Sequence, residues 1–494
     1  MSVRTRIAPS PTGMPHLGTA YIALFNKAFA EQQDGDFILR IEDSDAARSS
    51  KQSETDILDA LKWLNLQWNE GPDIGGAHGP YRVSERLKTY ETHANELIET
   101  GGAFKCFCSP ERLDEVRREQ QQQGKTPKYD GHCLTLGEDE VQRRVDAGES
   151  HVIRLRVPES GDCVFTDQIR GEISIPWQQV DMQVLVKSDG FPTYHLCATV
   201  DDHLMGITHI LRGEEWISSC PKHVLIYDYF GWQFQELFHL PLLRNRDQSK
   251  MSKRKNPTGI NFYRDRGYLP EALLNYLATM GWSMPDEREQ FSYADFAKNL
   301  DLGRITPRGP VFDVEKLDWL NGCYLRDLTD DEFQRRFASW AGDAARIQKI
   351  VSMLKERTER FDQVLPQVDY LVGDRQAIDV DDFVHKSLSE EDVVKILDFS
   401  ARSLENVSTW QSDEIGMALR EMADRCGYKV RDFVSPLFVA LSGRKVALPL
   451  FDSIEVLGPE LTRARLRSAI ECLGGISNKK LKKLEKEWAA LSNV

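Results

Sequence analysis

The sequence predicts an α/β fold: a doubly wound parallel-sheet domain, an inserted α+β domain within it, and an all-α region after it. Three observations carry this. Apolar runs of strand length alternate with helical-period segments from Val3 to Glu99; the stretch from Phe104 to about Met182 breaks the alternation; and beyond Gly322 the pattern is almost wholly helical.

Taken in order, Val3 to Ile7 and Asp36 to Ile41 read as strands, because each is a short apolar-rich run bounded by turn residues. Thr19 to Ala30, Ser53 to Leu64 and Leu87 to Glu99 carry apolar residues at helical spacing. The insertion contributes cysteines, a Gln-rich helix near Glu111 to Gln123 and strand-like Val152 to Val157. The sheet resumes at Val184 to Lys187 and Ile207 to Arg212, followed by helix-like His223 to Phe230. Another helical run lies between Leu269 and Trp282. Thr329 and Ser389 are expected N-caps, since three acidic residues follow each and favour the positive end of a helix. These breaks divide the chain at 1–103, 104–182, 183–240, 241–325 and 326–494.

At 494 residues, 41% hydrophobic and 28% charged, the chain has the composition of a multidomain globular protein. No run is long and apolar enough to span a bilayer, and Met1 to Thr5 opens no signal-peptide apolar region, so a cytoplasmic location without membrane contact is expected. Nine irregularly spaced cysteines do not read as a disulfide framework. The net charge of -14 opposes a phosphate backbone in the aggregate, yet local sign decides such contacts. Arg463, Arg465, Arg467, Lys479, Lys480, Lys482, Lys483 and Lys486 face only Glu471, Glu485 and Glu487 in sequence, as either a nucleic-acid track or a solvated helix face.

Two distant segments carry the chemistry. Pro15-His16-Leu17-Gly18-Thr19 follows the first strand through Ser10-Pro11-Thr12-Gly13 and opens a helix, the order in which folds bind phosphates. Lys250-Met251-Ser252-Lys253-Arg254 places mobile cations and a hydroxyl on a loop. Gly18 lets a nucleotide lie against backbone, His16 can donate to a phosphate, and Lys250 and Lys253 can meet charge on a departing pyrophosphate. Together they read as two halves of one ATP site.

These segments resemble the HIGH and KMSKS signatures of class I aminoacyl-tRNA synthetases. Arg6 to Gly13, Arg40-Ile41-Glu42-Asp43, Pro192 to Leu196, Arg212 to Trp216 and Pro241 to Asn245 narrow the resemblance to the bacterial glutamyl-tRNA synthetase family, over the catalytic part to about Gly322. The resemblance implies a Rossmann-type catalytic domain. It also implies acceptor-end binding by 104–182, stem contact by 241–325 and anticodon binding by 326–494. The implied activity is ATP-dependent, AMP-forming ligation of L-glutamate to tRNA(Glu), with Mg2+ arriving on ATP, in a monomeric protein. A glutaminyl-type synthetase or a non-catalytic tRNA-binding regulator is the alternative.

By the same resemblance, His16, Gly18, Lys250 and Lys253 are catalytic; Ser10, His16, Gly18, Glu215, Ser252 and Lys253 bind ATP. Arg6, Ser10, Glu42, Tyr194 and Arg212 bind glutamate, whose two carboxylates call for guanidinium forks and whose ammonium calls for an acid. Trp216 is expected near the tRNA 3′ end and Arg357 near an anticodon base. After Tyr194-His195-Leu196, where relatives often carry asparagine, this chain reads Cys197-Ala198-Thr199. Asp201 and Asp202 are expected to orient partners or hydrogen-bond backbone rather than bind a metal, because adjacent residues rarely converge on one ion. Cys106, Cys108, Tyr129 and Cys133 resemble a zinc site of some relatives, with Thr135 where a histidine is frequent; a zinc site and a reduced thiol cluster both fit.

Overall fold

In the computed structural model of the chain, residues 2–45, 48–251, 257–355, 357–373, 375 and 377–492 are described. Two compact units divide it: Met1–Met251 with Leu269–Tyr324, and Ser252–Tyr268 with Leu325–Val494.

Among its described residues the first unit holds nine strands: β1 Arg4–Ile7, β2 Asp36–Leu39, β3 Ala103–Cys106, β4 Val152–Leu155, β5 Asp162–Asp167, β6 Gly171–Pro176, β7 Val184–Val186, β8 His209–Gly213 and β9 Glu236–Leu240. β1 pairs in parallel with β2, and β8 with β9. β1 also meets the start of β8, where Thr208 N donates to Arg4 O at 3.0 Å and Arg4 N donates to Thr208 Oγ1 at 2.8 Å. The helix Leu17–Gln32 connects β1 to β2 and buries Leu17, Leu24, Phe25 and Ala28. Its return is tight. A Cβ on Gly35 would lie 2.1 Å from the carbonyl oxygen of Val3, so only glycine admits the approach.

The expected parallel α/β core is present, and the insertion is woven into it. β3, β4 and β7 form an antiparallel sheet that draws on both sides of residue 182. The β5–β6 hairpin joins the main sheet where Asp167 pairs in parallel with Leu237 of β9. In β5 the exposed and buried residues alternate, so Cys163, Phe165 and Asp167 share the inward face. That alternation takes a carboxylate into the interior at the strand's end. The Gln-rich helix, Pro110–Gln122, buries none of its side chains, and its N-terminus is capped by Ser109.

The second unit is helical, with no strand among its described residues. Thr329 caps the helix Asp330–Ala341, and Ser389 forms a reciprocal capping box with Asp392 at the helix Glu390–Leu404. Leu397, Phe399, Leu419, Phe433 and Leu466 lie in its core. The expected basic track separates into two kinds of residue. Lys479, Lys482, Lys483 and Lys486 are exposed on the helix Asn478–Ser492, whereas Arg463 and Arg465 are only 8% and 4% exposed. Arg465 donates to the carbonyls of Tyr370, Leu441 and Gly373 at 2.7, 2.8 and 2.9 Å. Those oxygens close the helices Leu365–Val372 and Val430–Ser442, whose last carbonyls have no intrahelical donor. The guanidinium is therefore a shared C-terminal cap.

Replacing Arg465 by alanine removes that donor from the buried carbonyls of Tyr370 and Leu441 and from the partly buried one of Gly373, and should cost about 2 kcal/mol or more. The urea midpoint of the helical signal should fall accordingly; an unchanged midpoint would show that the cap is dispensable.

Candidate active site

A cavity of about 380 Å3 opens in the first unit at the carboxyl ends of β1 and β8. Open parallel sheets bind ligands at such ends, because strand termini there release loops and helix N-termini into one crevice. Arg6 comes from β1, His16 and Gly18 from the start of the first helix, and Tyr194 and Ala198 from the first turns of the helix Tyr194–Leu204. Arg212 ends β8, with Glu215 and Trp216 in the turn beyond it and Lys250 and Met251 on the opposite rim.

At the helix entrance, His16 is the N-cap and its Nδ1 accepts from the amide of Gly18 at 2.9 Å. An amide can only donate, so Nδ1 is unprotonated and Nε2 carries the proton. The ring is thus fixed as a donor. Added at Gly18, a Cβ would stand 3.1 Å from that Nδ1. Helix amides and the imidazole N–H together suit an anion, since both bring positive potential to one end of the cavity. Lys250 Nζ lies 3.5 Å from Glu215 Oε1, a partly exposed pair that screening weakens.

Deeper in, Arg6 and Arg40 on the cavity lining belong to a closed set of buried charges. Arg6 donates two bonds to Asp202, at 3.1 and 3.0 Å. Arg40 donates to Asp202 at 2.9 Å and lies 3.0 Å from Glu42. Arg86 and Tyr90 donate to Asp201 at 2.8 and 2.6 Å. Arginines 6, 40 and 86 are thus balanced by Glu42, Asp201 and Asp202, the arrangement that buried ions require. Glu42 keeps one oxygen, Oε2, without a hydrogen-bond partner although the residue is 4% exposed. Burial pushes its carboxyl up to about 7, against the opposing pull of Arg40.

Arg212 is handled differently. Its donors go to His239 Nε2 at 3.0 Å, His223 Nδ1 at 3.2 Å, Tyr194 Oη at 3.4 Å and Cys220 Sγ at 2.9 Å. It forms no ion pair with a described carboxylate, although it is 5% exposed and faces the cavity. Such a cation can take a ligand carboxylate without first breaking an internal pair.

Of the residues singled out in the sequence, the cavity gathers Arg6, His16, Gly18, Tyr194, Arg212, Glu215, Trp216 and Lys250. Glu42 is off the lining but bonded to Arg40, which is on it. Ser10 is exposed and off the lining, and Ser252 and Lys253 lie outside the described residues. Arg357 is exposed in the second unit, where it donates to the carbonyl of Met353 at 2.9 Å. Arg86, His223, His239 and Asp167 are marked by no local pattern, because their partners lie on other elements of the fold. Asp201 and Asp202 orient arginines, as expected.

A second constellation lies in the insertion. The sulfurs of Cys106, Cys108 and Cys133 are all within 4.8 Å of one another, and the Tyr129 hydroxyl is 3.4 Å from Cys106 Sγ and 3.7 Å from Cys108 Sγ. His132 and Thr135 are exposed. Arg112 approaches Cys108 Sγ at 3.4 Å, and the Arg154 guanidinium lies 4.3 Å from the centroid of the Tyr129 ring.

Residues 2–319 match the family model described as tRNA synthetases class I (E and Q), catalytic domain, and residues 331–470 match that of an anticodon binding domain. The chain is 53% identical over 490 residues to a glutamate–tRNA ligase of Pseudomonas savastanoi, with 99% of each covered. It is 53% identical over 486 residues to one of Acinetobacter baumannii, covering 98% of this chain and 97% of that one. A solved glutamate–tRNA ligase of Elizabethkingia meningosepticum, in complex with its amino acid, aligns with a TM-score of 0.66 at 32% identity, over 96% of this chain and 100% of that one. The chain therefore belongs to the class I tRNA synthetases of the glutamate and glutamine type, within the glutamate–tRNA ligase family.

Proposed function

We infer that this chain activates L-glutamate with ATP and transfers it to the 3′-terminal ribose of tRNA(Glu), and we assign the steps to the cavity described above. The observation that carries the assignment is Arg212, a buried cation facing the cavity that forms no ion pair with a described carboxylate. Glutamate supplies the missing charge. A neutral glutamine amide in its place would leave the guanidinium uncompensated, which disfavours a glutaminyl reading. The intact His16 and Gly18 helix entrance disfavours a regulator without catalysis.

In the first step a carboxylate oxygen of glutamate attacks the α-phosphorus of ATP, the bond to the bridging oxygen breaks, and pyrophosphate leaves with its electrons. Mg2+, arriving on the nucleotide, neutralises phosphate charge. His16 Nε2–H and the positive end of the helix at Gly18 receive the phosphates, while Lys250 and Lys253, with the Ser252 hydroxyl, offset charge on the leaving group. In our reading Arg6, Tyr194 and Arg212 hold glutamate, Glu42 Oε2, unpartnered beside the lining residue Arg40, accepts from its ammonium, and Ser10 contributes a hydroxyl. Glu215 attends the nucleotide. In the second step a terminal ribose hydroxyl attacks the activated carbonyl and AMP leaves, with Trp216 beside the tRNA end.

Residues 104–182 take the acceptor end, 241–325 the stem, and 326–494 the anticodon, where Arg357 reads a base. The protein works as a cytoplasmic monomer. A zinc ion fits Cys106, Cys108, Cys133 and Tyr129, since four donors converge there and Arg112 and Arg154 offset thiolate charge. Such an ion supplies a structural cross-link between β3 and the turn His132–Thr135.

Pyrophosphate exchange should proceed with glutamate in the presence of tRNA and not with glutamine; exchange driven by glutamine, or none at all, overturns the assignment. Glu42 sets a pH dependence. Its carboxyl, raised to about 7, must ionise to accept an ammonium, so KM for glutamate should fall as pH rises from about 6 to about 8. Glu42→Gln should flatten that profile, and an unaltered profile removes Glu42 from the site. Metal analysis of the purified protein should find about one zinc per chain, lost in Cys108→Ser; a metal-free protein would leave the reduced cluster.

A further inference from the structure

The atoms around Arg212 fix more than its position. A guanidinium has donors and no acceptor, so each ring nitrogen facing it is the unprotonated one. His239 must then carry its proton on Nδ1, which stands 2.6 Å from Asp167 Oδ2 and donates to it. Asp167 is itself held, because it accepts from the amides of His239, Ile169 and Arg170. His223 must carry its proton on Nε2, which faces His195 Nδ1 at 3.2 Å. Burial holds His223 well below the ordinary histidine range and lowers His239, and in each the Arg212 charge adds to the effect. Cys220 completes the surround with a thiol that burial keeps protonated.

Neither histidine lines the cavity. The contrast with Arg6, in the same cavity and paired bidentately by Asp202, shows that the chain can place a carboxylate against a buried guanidinium. At Arg212 it places neutral acceptors instead, with Asp167 on the far side of the His239 ring. Neutral acceptors fix the orientation of the fork while leaving its charge unspent.

We propose that His239 and His223 are positioning residues for substrate binding: they hold Arg212 in its cavity-facing orientation through neutral acceptor atoms, reserving its charge for a carboxylate of glutamate. This rests on the reading that Arg212 binds the substrate. It adds that the neutrality of its neighbours, rather than their hydrogen bonds alone, sets the affinity.

The test compares two exchanges at one position in the full-length protein, by steady-state aminoacylation. His223→Asn keeps an acceptor near the Nδ1 position, whereas His223→Asp gives the guanidinium a built-in counter-ion. The asparagine variant should stay within about threefold of the parent KM for glutamate, and the aspartate variant should raise it about tenfold or more. KM for ATP should move less than about twofold in both. Equal effects of the two variants, or an ATP KM that rises in step, would overturn the proposal. Cys220→Ser against Cys220→Asp puts the same question from the other side of the fork, and decides it if the His223 variants do not fold. Arg212→Gln separates the two readings. If it leaves KM for glutamate unchanged, the substrate assignment itself fails. If it raises KM while the aspartate variants do not, only the role given to the neutral acceptors fails.

Discussion

The structure depends most on one carboxylate. Asp202, 3% exposed on the helix Tyr194–Leu204, accepts from Arg6 at the end of β1 and from Arg40 just beyond β2. Those two strands and that helix enclose the inner end of the cavity, so one side chain ties together three elements far apart in sequence. Removing one partner from a buried ion set of this kind costs about 3–5 kcal/mol, because the remaining charge stays buried without compensation. The balance of Arg6, Arg40 and Arg86 against Glu42, Asp201 and Asp202 therefore fixes the floor on which the rest of the site stands.

Local pattern made much of this visible and long-range pairing hid the rest. The strand near Arg4, the helix after His16 and the caps at Thr329 and Ser389 were legible, because each follows from periodicity or from a capping residue within a few positions. The cavity-facing roles of Arg6 and Arg212 could be expected by resemblance; that Asp202 pairs with the first and uncharged groups surround the second could not. His239 and Asp167 meet across the parallel pairing of β9 with β5, and strand pairing of this range leaves no mark on either segment alone. Arg465 misled for the opposite reason. Its neighbours in sequence are basic, which reads as a surface, but its partners are three helix-ending carbonyls elsewhere in the second unit.

The two buried polar systems of the first unit differ in what they ask of the solvent. The Asp202 set is closed, each arginine meeting an acid, and its one unpartnered atom is Glu42 Oε2. The Arg212 set is closed in hydrogen bonds, but its acid, Asp167, is separated from the guanidinium by the His239 ring. One builds the wall; the other gives the wall a sign. His16 shows the same economy on a smaller scale, since a single bond from the Gly18 amide settles which nitrogen carries the proton.

A cavity whose inner cation forms no ion pair with a described carboxylate will not stay bare in a salt solution. Chloride, phosphate or sulfate will be drawn to Arg212, and, on the assignment of that residue to glutamate, the amino acid enters by exchanging one anion for another. Its apparent affinity then depends on which anions the buffer contains, and not only on how concentrated they are.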